Sequence, residues 1–394
     1  MIALPKTSVN FNDTSIAFEG KTNQQLKEKH RIFWLMNKPF LVNIGSRLGL
    51  LALQYNLPVE GIIKKTIFKQ FVGGTTLLES QACIDELAKF GVQSILDYGA
   101  EGKGTVEDFN TTLRNWIEAV KFAARNTHVP FISIKVTAIA QFSLLEKVQQ
   151  GAVLTKEEEQ EYESTKKRLD SICHLAEELG VGVYIDAEES WIQETIDYLA
   201  DMMMARYNKK KVTVYNTFQM YRHDRLAFLK TSLIRAEREG YILGAKIVRG
   251  AYMEKERARA EEMNYPSPIQ PNKASTDKDY DAAIEFCIKH HEKIASCTAT
   301  HNIESCRKQV ELIERYNLSK NHPHFLFCQL LGMSDNLTFN LQKAGFNTAK
   351  YIPYGPVKDV IPYLIRRANE NTSVTGEMGR ELKLIKQEMR RRRI

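Results

Sequence analysis

The chain has no pair of cysteines at metal-binding or redox spacing. Its six cysteines (Cys83, Cys173, Cys287, Cys297, Cys306 and Cys328) are scattered through 394 residues with no CxxC, which excludes a disulfide framework and a zinc site and reads as reduced thiols. There is no apolar run of the roughly 18–20 residues that a membrane span needs. There is no apolar stretch of signal-peptide type near the start either, where Asp13 and Glu19 stand instead. HxH and HExxH are absent, so Asp186, Glu188, Glu189 and His301 lack metal-ligand spacing and no metal is expected. No GxGxxG follows an apolar run, and Gly73-Gly74 is not followed by a lysine at P-loop spacing, so it reads as a turn before a helix. Basic residues are not interleaved with aromatics as nucleic-acid binding would require. These absences predict a chain that is not secreted and lies on the cytoplasmic or matrix side.

What is present is enough apolar sequence for a large core. Hydrophobic residues make up 43% of the chain, and a net charge of +7 mildly favours acidic partners. Residues 1–91 read as a helical arm, with 41–55 its most apolar stretch between Pro39 and Pro58. From Val92 a rhythm sets in. Short β-prone runs at 94–98, 131–137, 181–186, 212–218, 245–248, 296–300, 324–329 and 350–354 alternate with helical periods such as 109–125, 192–206 and 225–239. Eight such strands alternating with helices predict parallel β structure, and eight is the number that closes a (β/α)8 barrel of the TIM type. Two doubly wound domains are the alternative architecture. The barrel would occupy 92–375. It would carry an insertion at about 142–179, opened by Thr155 and Glu158 at capping-box spacing, and a proline-containing loop at 263–277.

Barrel enzymes work at the C-terminal ends of their strands. Here those ends read Asp97-Tyr98, Lys135, Asp186 to Glu189, Gln219, Lys246 to Arg249, Thr300-His301-Asn302, Gln329 and Tyr351. Lys135, Lys246 and Arg249 supply cations suited to an anionic substrate and a phosphate-bearing cofactor. Just beyond the last strand, Pro356 suits the first turn of a helix carrying Arg366 and Arg367, with Glu370 one turn on. Two adjacent guanidiniums can grip a small carboxylate from two sides, or simply form a solvated face. A strand-end lysine also leaves open a Schiff-base lyase using Lys135 or Lys246. The basic tail at 376–394 places Leu382, Leu384, Ile385 and Met389 beside Lys383, Lys386 and Arg390 to Arg393. It reads either as a helix lying on an anionic bilayer or as a solvated helix.

Four motifs together resemble the proline dehydrogenase (proline oxidase) family: Tyr-Ile-Asp186-Ala-Glu-Glu, Lys246-Ile-Val-Arg-Gly-Ala-Tyr252, Ala-Thr300-His301-Asn, and the stretch from Tyr351 through Arg366-Arg367-Ala-Asn-Glu370. They occur in the order of the predicted barrel, and the likeness runs from about 92 to 371, closest to the monofunctional, mitochondrial-type branch. The resemblance implies an FAD enzyme that oxidises L-proline to Δ1-pyrroline-5-carboxylate, the first step of proline catabolism, and passes electrons to a membrane quinone while peripheral to the inner membrane. It further implies that Arg366 and Arg367 bind the proline carboxylate with help from Lys135, that Tyr351 packs against the ring, and that Tyr363 joins the substrate set. Asp186 and Lys246 fall at catalytic positions. Lys246 stands where the bifunctional bacterial branch has an arginine near flavin N5. Ala187, Gln219, Arg249, Gly250, Ala251, Thr300, His301 and Glu370 fall at cofactor contacts. Tyr351 implies proline rather than hydroxyproline, since the hydroxyproline-oxidising relatives carry a smaller residue there.

Overall fold

The computed structural model describes residues 8–38, 40, 60–99, 104–373 and 377–394, with only the backbone at 62, 366–373, 377 and 378. The apolar stretch 41–55 lies outside the described residues. Eight parallel strands form a closed barrel in sequence order: β1 (Gln93–Tyr98), β2 (Phe131–Ile134), β3 (Gly182–Ile185), β4 (Val214–Gln219), β5 (Leu243–Val248), β6 (Ile294–Ala299), β7 (Phe325–Leu330) and β8 (Thr348–Tyr354). The barrel expectation holds and the doubly wound alternative fails. β4 and β8 are buried at every position, as strands covered on both faces must be, and their polar residues, among them Asn216, Gln219 and Lys350, are buried with the rest.

Helices join the strands. Val106–Ala124 buries a single stripe made of Phe109, Thr112, Trp116, Ala119, Val120 and Ala123, and its start is fixed by a capping box between Thr105 and Asp108. The capping box read at Thr155 and Glu158 is also present, and it opens the helix Lys156–Leu179. That helix is the connection between β2 and β3. Its charged run covers one face only, while Leu169, Ile172, Cys173 and Ala176 face the core. β2 is shorter than its β-prone run because Val136–Ala138 turn into one 3-10 turn. The loop expected at 263–277 ends earlier, where Asn272 accepts from the Ser275 N–H at 2.9 Å and caps the helix Lys273–Lys289. His290 and His291 place Nδ1 at 2.8 and 3.1 Å from the carbonyls of Phe286 and Ile288 at that helix's end.

The chain divides into two compact units, 101–328 and the pair of segments 1–100 with 329–394. In the two-segment unit, Asn23–Met36 and Val357–Ser373 share one core with the tail helix Glu377–Arg392, through Leu26, Phe33, Phe71, Val360, Leu364, Leu382, Leu384 and Ile385. The apolar face of the tail is consumed inside its own unit, and Arg392 donates to the Phe18 carbonyl at 2.7 Å. Gly73-Gly74, expected as a turn, does lie before a helix, Leu77–Ala88, but pairs with β8 instead of turning. The Gly73 N–H donates to the Pro353 carbonyl at 2.9 Å, and Gly74 bridges Tyr354, extending the sheet beside β8.

Candidate active site

Within the unit 101–328, the ends of β3 and β5 meet through charge. The Lys246 ammonium donates to Asp186 Oδ1 at 2.6 Å, and the same oxygen accepts from the Ser133 hydroxyl at 2.8 Å. Lys246 is buried and lies over the Tyr184 ring. Burial by itself would lower the lysine's pKa, but the adjacent Asp186 carboxylate raises it above the ordinary lysine value. A Schiff-base nucleophile needs a free amine. Lys246 is held as a cation instead, which removes it from the lyase reading.

Glu188 belongs to the same loop. Its carboxylate accepts from the Thr137 N–H at 3.1 Å and from the Thr137 hydroxyl, while its carbonyl accepts from the Gln219 amide at 2.7 Å. Gln219, expected at the cofactor, thus also ties the end of β4 to the loop after β3. Burial pushes the Glu188 carboxyl up to about 7, against the opposing pull of Lys135 and Thr137. A carboxylate whose pKa is raised by folding contributes stability that is present below its usual 4.5 and is lost as pH rises through about 7. Between pH 4.5 and 8 the unfolding free energy of the wild-type chain should therefore fall by on the order of 2–4 kcal/mol relative to that of Glu188→Gln, as urea unfolding would measure. Parallel curves would show that Glu188 does not titrate there. Glu189 pairs with Lys255.

The second cluster sits after β5 and β6. Arg249 donates to Asp277 at 2.8 Å, to the Thr300 hydroxyl at 2.6 Å and to the Ser305 hydroxyl at 3.0 Å, and its guanidinium lies over the Tyr280 ring. Ser305 in turn donates to Asp281 at 2.6 Å. Asp277, Tyr280, Asp281 and Ser305 carried no sequence signal, because each is unremarkable within its helix and only the fold brings it to Arg249. Gly250 has φ +135, and a Cβ there would lie 2.4 Å from the Tyr221 ring, so glycine is required. Gly250 and Ala251 leave open backbone at the barrel rim. Asn302 accepts from the N–H groups of Glu304 and Ser305 and starts the helix Ile303–Arg315 directly after His301. Among the described residues, one buried guanidinium nitrogen, Nη1 of Arg222, has no hydrogen-bond partner in the loop after Gln219. Fixed cations, open glycine backbone, a helix N-terminus and an unused donor form a set that suits a phosphate-bearing cofactor.

In the other unit, Tyr351 lies on β8, buried, with its carbonyl accepting from the Leu331 N–H at 2.9 Å. Pro356 precedes the helix Val357–Ser373, as expected, and Tyr363 is half-buried on it. Arg366, Arg367 and Glu370 fall on the same helix. Their side chains lie outside the described residues.

The sequence profile of the proline dehydrogenase family matches residues 80–380. The chain belongs to the proline dehydrogenase family. Members of that family are oxidoreductases acting on proline. The chain is 32% identical over 400 residues to proline dehydrogenase 1, mitochondrial, of Dictyostelium discoideum, covering 90% of this chain and 69% of that protein. It is 38% identical over 241 residues to the human proline dehydrogenase 1, mitochondrial, covering 60% of this chain and 40% of that one. Proline utilization A of Bdellovibrio bacteriovorus, solved after inactivation by N-propargylglycine, superposes with a TM-score of 0.72 at 20% identity, over 91% of this chain and 38% of that chain. At that identity the likeness speaks for the barrel alone. Asp186, Arg249 and Thr300 directly follow β3, β5 and β6, and Lys246 lies within β5.

Proposed function

We propose that this chain oxidises L-proline to Δ1-pyrroline-5-carboxylate with FAD as its bound cofactor and a membrane quinone as the onward electron acceptor, as the first step of proline catabolism. The observation that carries the reading is the buried Lys246–Asp186 pair, 2.6 Å apart at the strand ends of a chain in the proline dehydrogenase family. Residues 92–375 would be the catalytic barrel, 1–91 a helical arm and 376–394 a tail. FAD, when bound, supplies the acceptor for the two electrons that leave the substrate ring.

The chain's own residues do the rest. Arg366 and Arg367 bind the proline carboxylate and Lys135 assists them, which fixes the far end of the substrate. Tyr351 and Tyr363 pack against the ring and keep water from it. Loss of a hydride from C5 leaves positive charge on the ring nitrogen of the substrate. Lys246, kept protonated by Asp186, and Arg249 are preorganised cations that would favour negative charge on a bound cofactor. Ala187, Gln219, Gly250, Ala251, Thr300, His301 and Glu370 would hold the cofactor, the glycine and alanine by offering backbone. The mitochondrial names of the relatives support a matrix-side location. With its apolar face covered, the tail helix would meet a bilayer only through exposed basic residues such as Lys383, Lys386 and Arg390. Full-length chain supplied with FAD, L-proline and a soluble quinone should yield a product lighter than proline by two hydrogens in mass spectrometry. A chain that leaves proline intact and is trapped covalently by borohydride with a carbonyl substrate contradicts the reading.

A further inference from the structure

Sequence alone gave no role to the loop that follows β7. Three of its features ask for an explanation. Ser334 is held at φ +50, in the left-handed region that a non-glycine residue occupies only when its surroundings impose it. Ser334 is also almost fully buried. And its N–H is not left to solvent, for it donates to Oε1 of Glu381 at 2.7 Å, across 47 residues of chain.

Glu381 stands on the tail helix Glu377–Arg392 and is 1% exposed. It shares its surroundings with three other buried charges. Lys29 pairs with Asp335 at 2.5 Å, and Lys350 pairs with the other oxygen of the same carboxylate at 3.0 Å. Lys350 also donates to the carbonyls of Met333 and Leu330. The loop is therefore tied to the helix Asn23–Met36 through Lys29, to β8 through Lys350, and to the tail through Glu381. Gln70 adds a bond at 2.9 Å to the Gly332 carbonyl.

Lys350 is the residue before Tyr351, and successive side chains on a strand point to opposite faces. Lys350 is spent on the loop side, so Tyr351 is turned to the other face, while its own carbonyl is pinned by the Leu331 N–H at 2.9 Å. A displacement of the loop therefore moves Tyr351 by two routes, through its backbone and through its neighbour's side chain.

We propose that Glu381 is a positioning residue for substrate binding: by holding the left-handed Ser334 it sets the loop after β7, and through Lys350 and Leu331 that loop sets Tyr351 on β8. The proposal rests on the reading of Tyr351 as the residue that packs against the proline ring. It gives the tail helix an internal task within its own unit. Burial and the neighbouring Asp335 raise the Glu381 pKa despite the opposing pull of Lys29, and the Ser334 N–H needs the acceptor oxygen that Glu381 places there. The conservative Glu381→Gln keeps such an acceptor; Glu381→Leu does not.

The test uses full-length chain loaded with FAD. Hydrogen exchange at the Ser334 amide should accelerate in Glu381→Leu by about tenfold or more, as expected when a buried bond of this kind is lost. The KM for proline should rise by about tenfold with kcat changed much less, since a displaced packing residue weakens binding more than chemistry. Glu381→Gln should restore both. If the leucine variant does not fold, Glu381→Asp, which withdraws the carboxylate by one methylene, should show the same two changes in smaller measure. Unchanged exchange at Ser334 overturns the proposal, and so does faster exchange with an unchanged KM, which would make Glu381 structural only. A wild-type chain that does not oxidise proline would defeat the reading of the function instead, and the exchange measurement would still decide whether Glu381 holds the loop.

Discussion

Replacing Lys246 by methionine should lower stability by about 3–5 kcal/mol, because it leaves the Asp186 carboxylate in place with its counter-charge gone. Asp186 Oδ1 would keep the Ser133 hydroxyl, at 2.8 Å, which brings no counter-charge. Such a pair differs from an exposed one in what its removal leaves behind. Attraction in the folded chain offsets the cost of taking both ions out of water, so truncating one partner exposes the full cost of the other. The double variant Lys246→Met with Asp186→Leu should recover much of the lost stability, since neither charge then needs a partner. It should not recover turnover, because the preorganised cation at the end of β5 is gone. Urea unfolding of the two single variants and the double variant forms a cycle that separates the two roles. A double variant as unstable as Lys246→Met would show that the pair is not what holds the ends of β3 and β5 together.

The second large effect concerns the substrate grip. Arg367→Met should reduce kcat/KM for proline by about 2–4 kcal/mol, roughly 30- to 1000-fold, mostly through KM. A guanidinium paired with a carboxylate away from bulk water makes two charge-assisted hydrogen bonds that methionine cannot replace, while the methionine stem keeps the packing of the arginine side chain. Arg366→Met should act in the same direction, because two adjacent helix residues reach one carboxylate only from different sides. Steady-state kinetics with an unchanged KM in Arg367→Met would remove that residue from the site.

Much of the fold was legible because a parallel barrel writes itself as a rhythm. Each of the eight β-prone runs became a strand, with no end shifted by more than three residues. The cap at Thr155 could be read because its chemistry is local, with Ser, Thr or Asp at the start and an acid three residues on. What could not be read depends on partners far apart in sequence. The apolar side of the tail helix looked available to lipid because nothing near it in sequence announces Phe33 or Leu26, 349 or more residues away, as its cover. Asp335 likewise gave no sign that Lys29 and Lys350 would close on it. A lysine at 350 in a strand otherwise apolar was the one available hint, since a buried ammonium must find a counter-charge. At the candidate site, Lys246 and Asp186 were both recognised, but their pairing, which decides between a cation and a nucleophile, became visible only with the 2.6 Å contact.

The central claim is that this chain takes electrons from proline into a bound flavin. The most direct measurement is the visible spectrum of the FAD-loaded, full-length chain under anaerobic conditions as L-proline is added. The account predicts that the flavin band bleaches with proline, that it returns when a quinone is supplied, and that Arg367→Met needs far more proline to reach the same end point. A flavin band that proline leaves unchanged, in a chain that holds FAD and is folded, would contradict it.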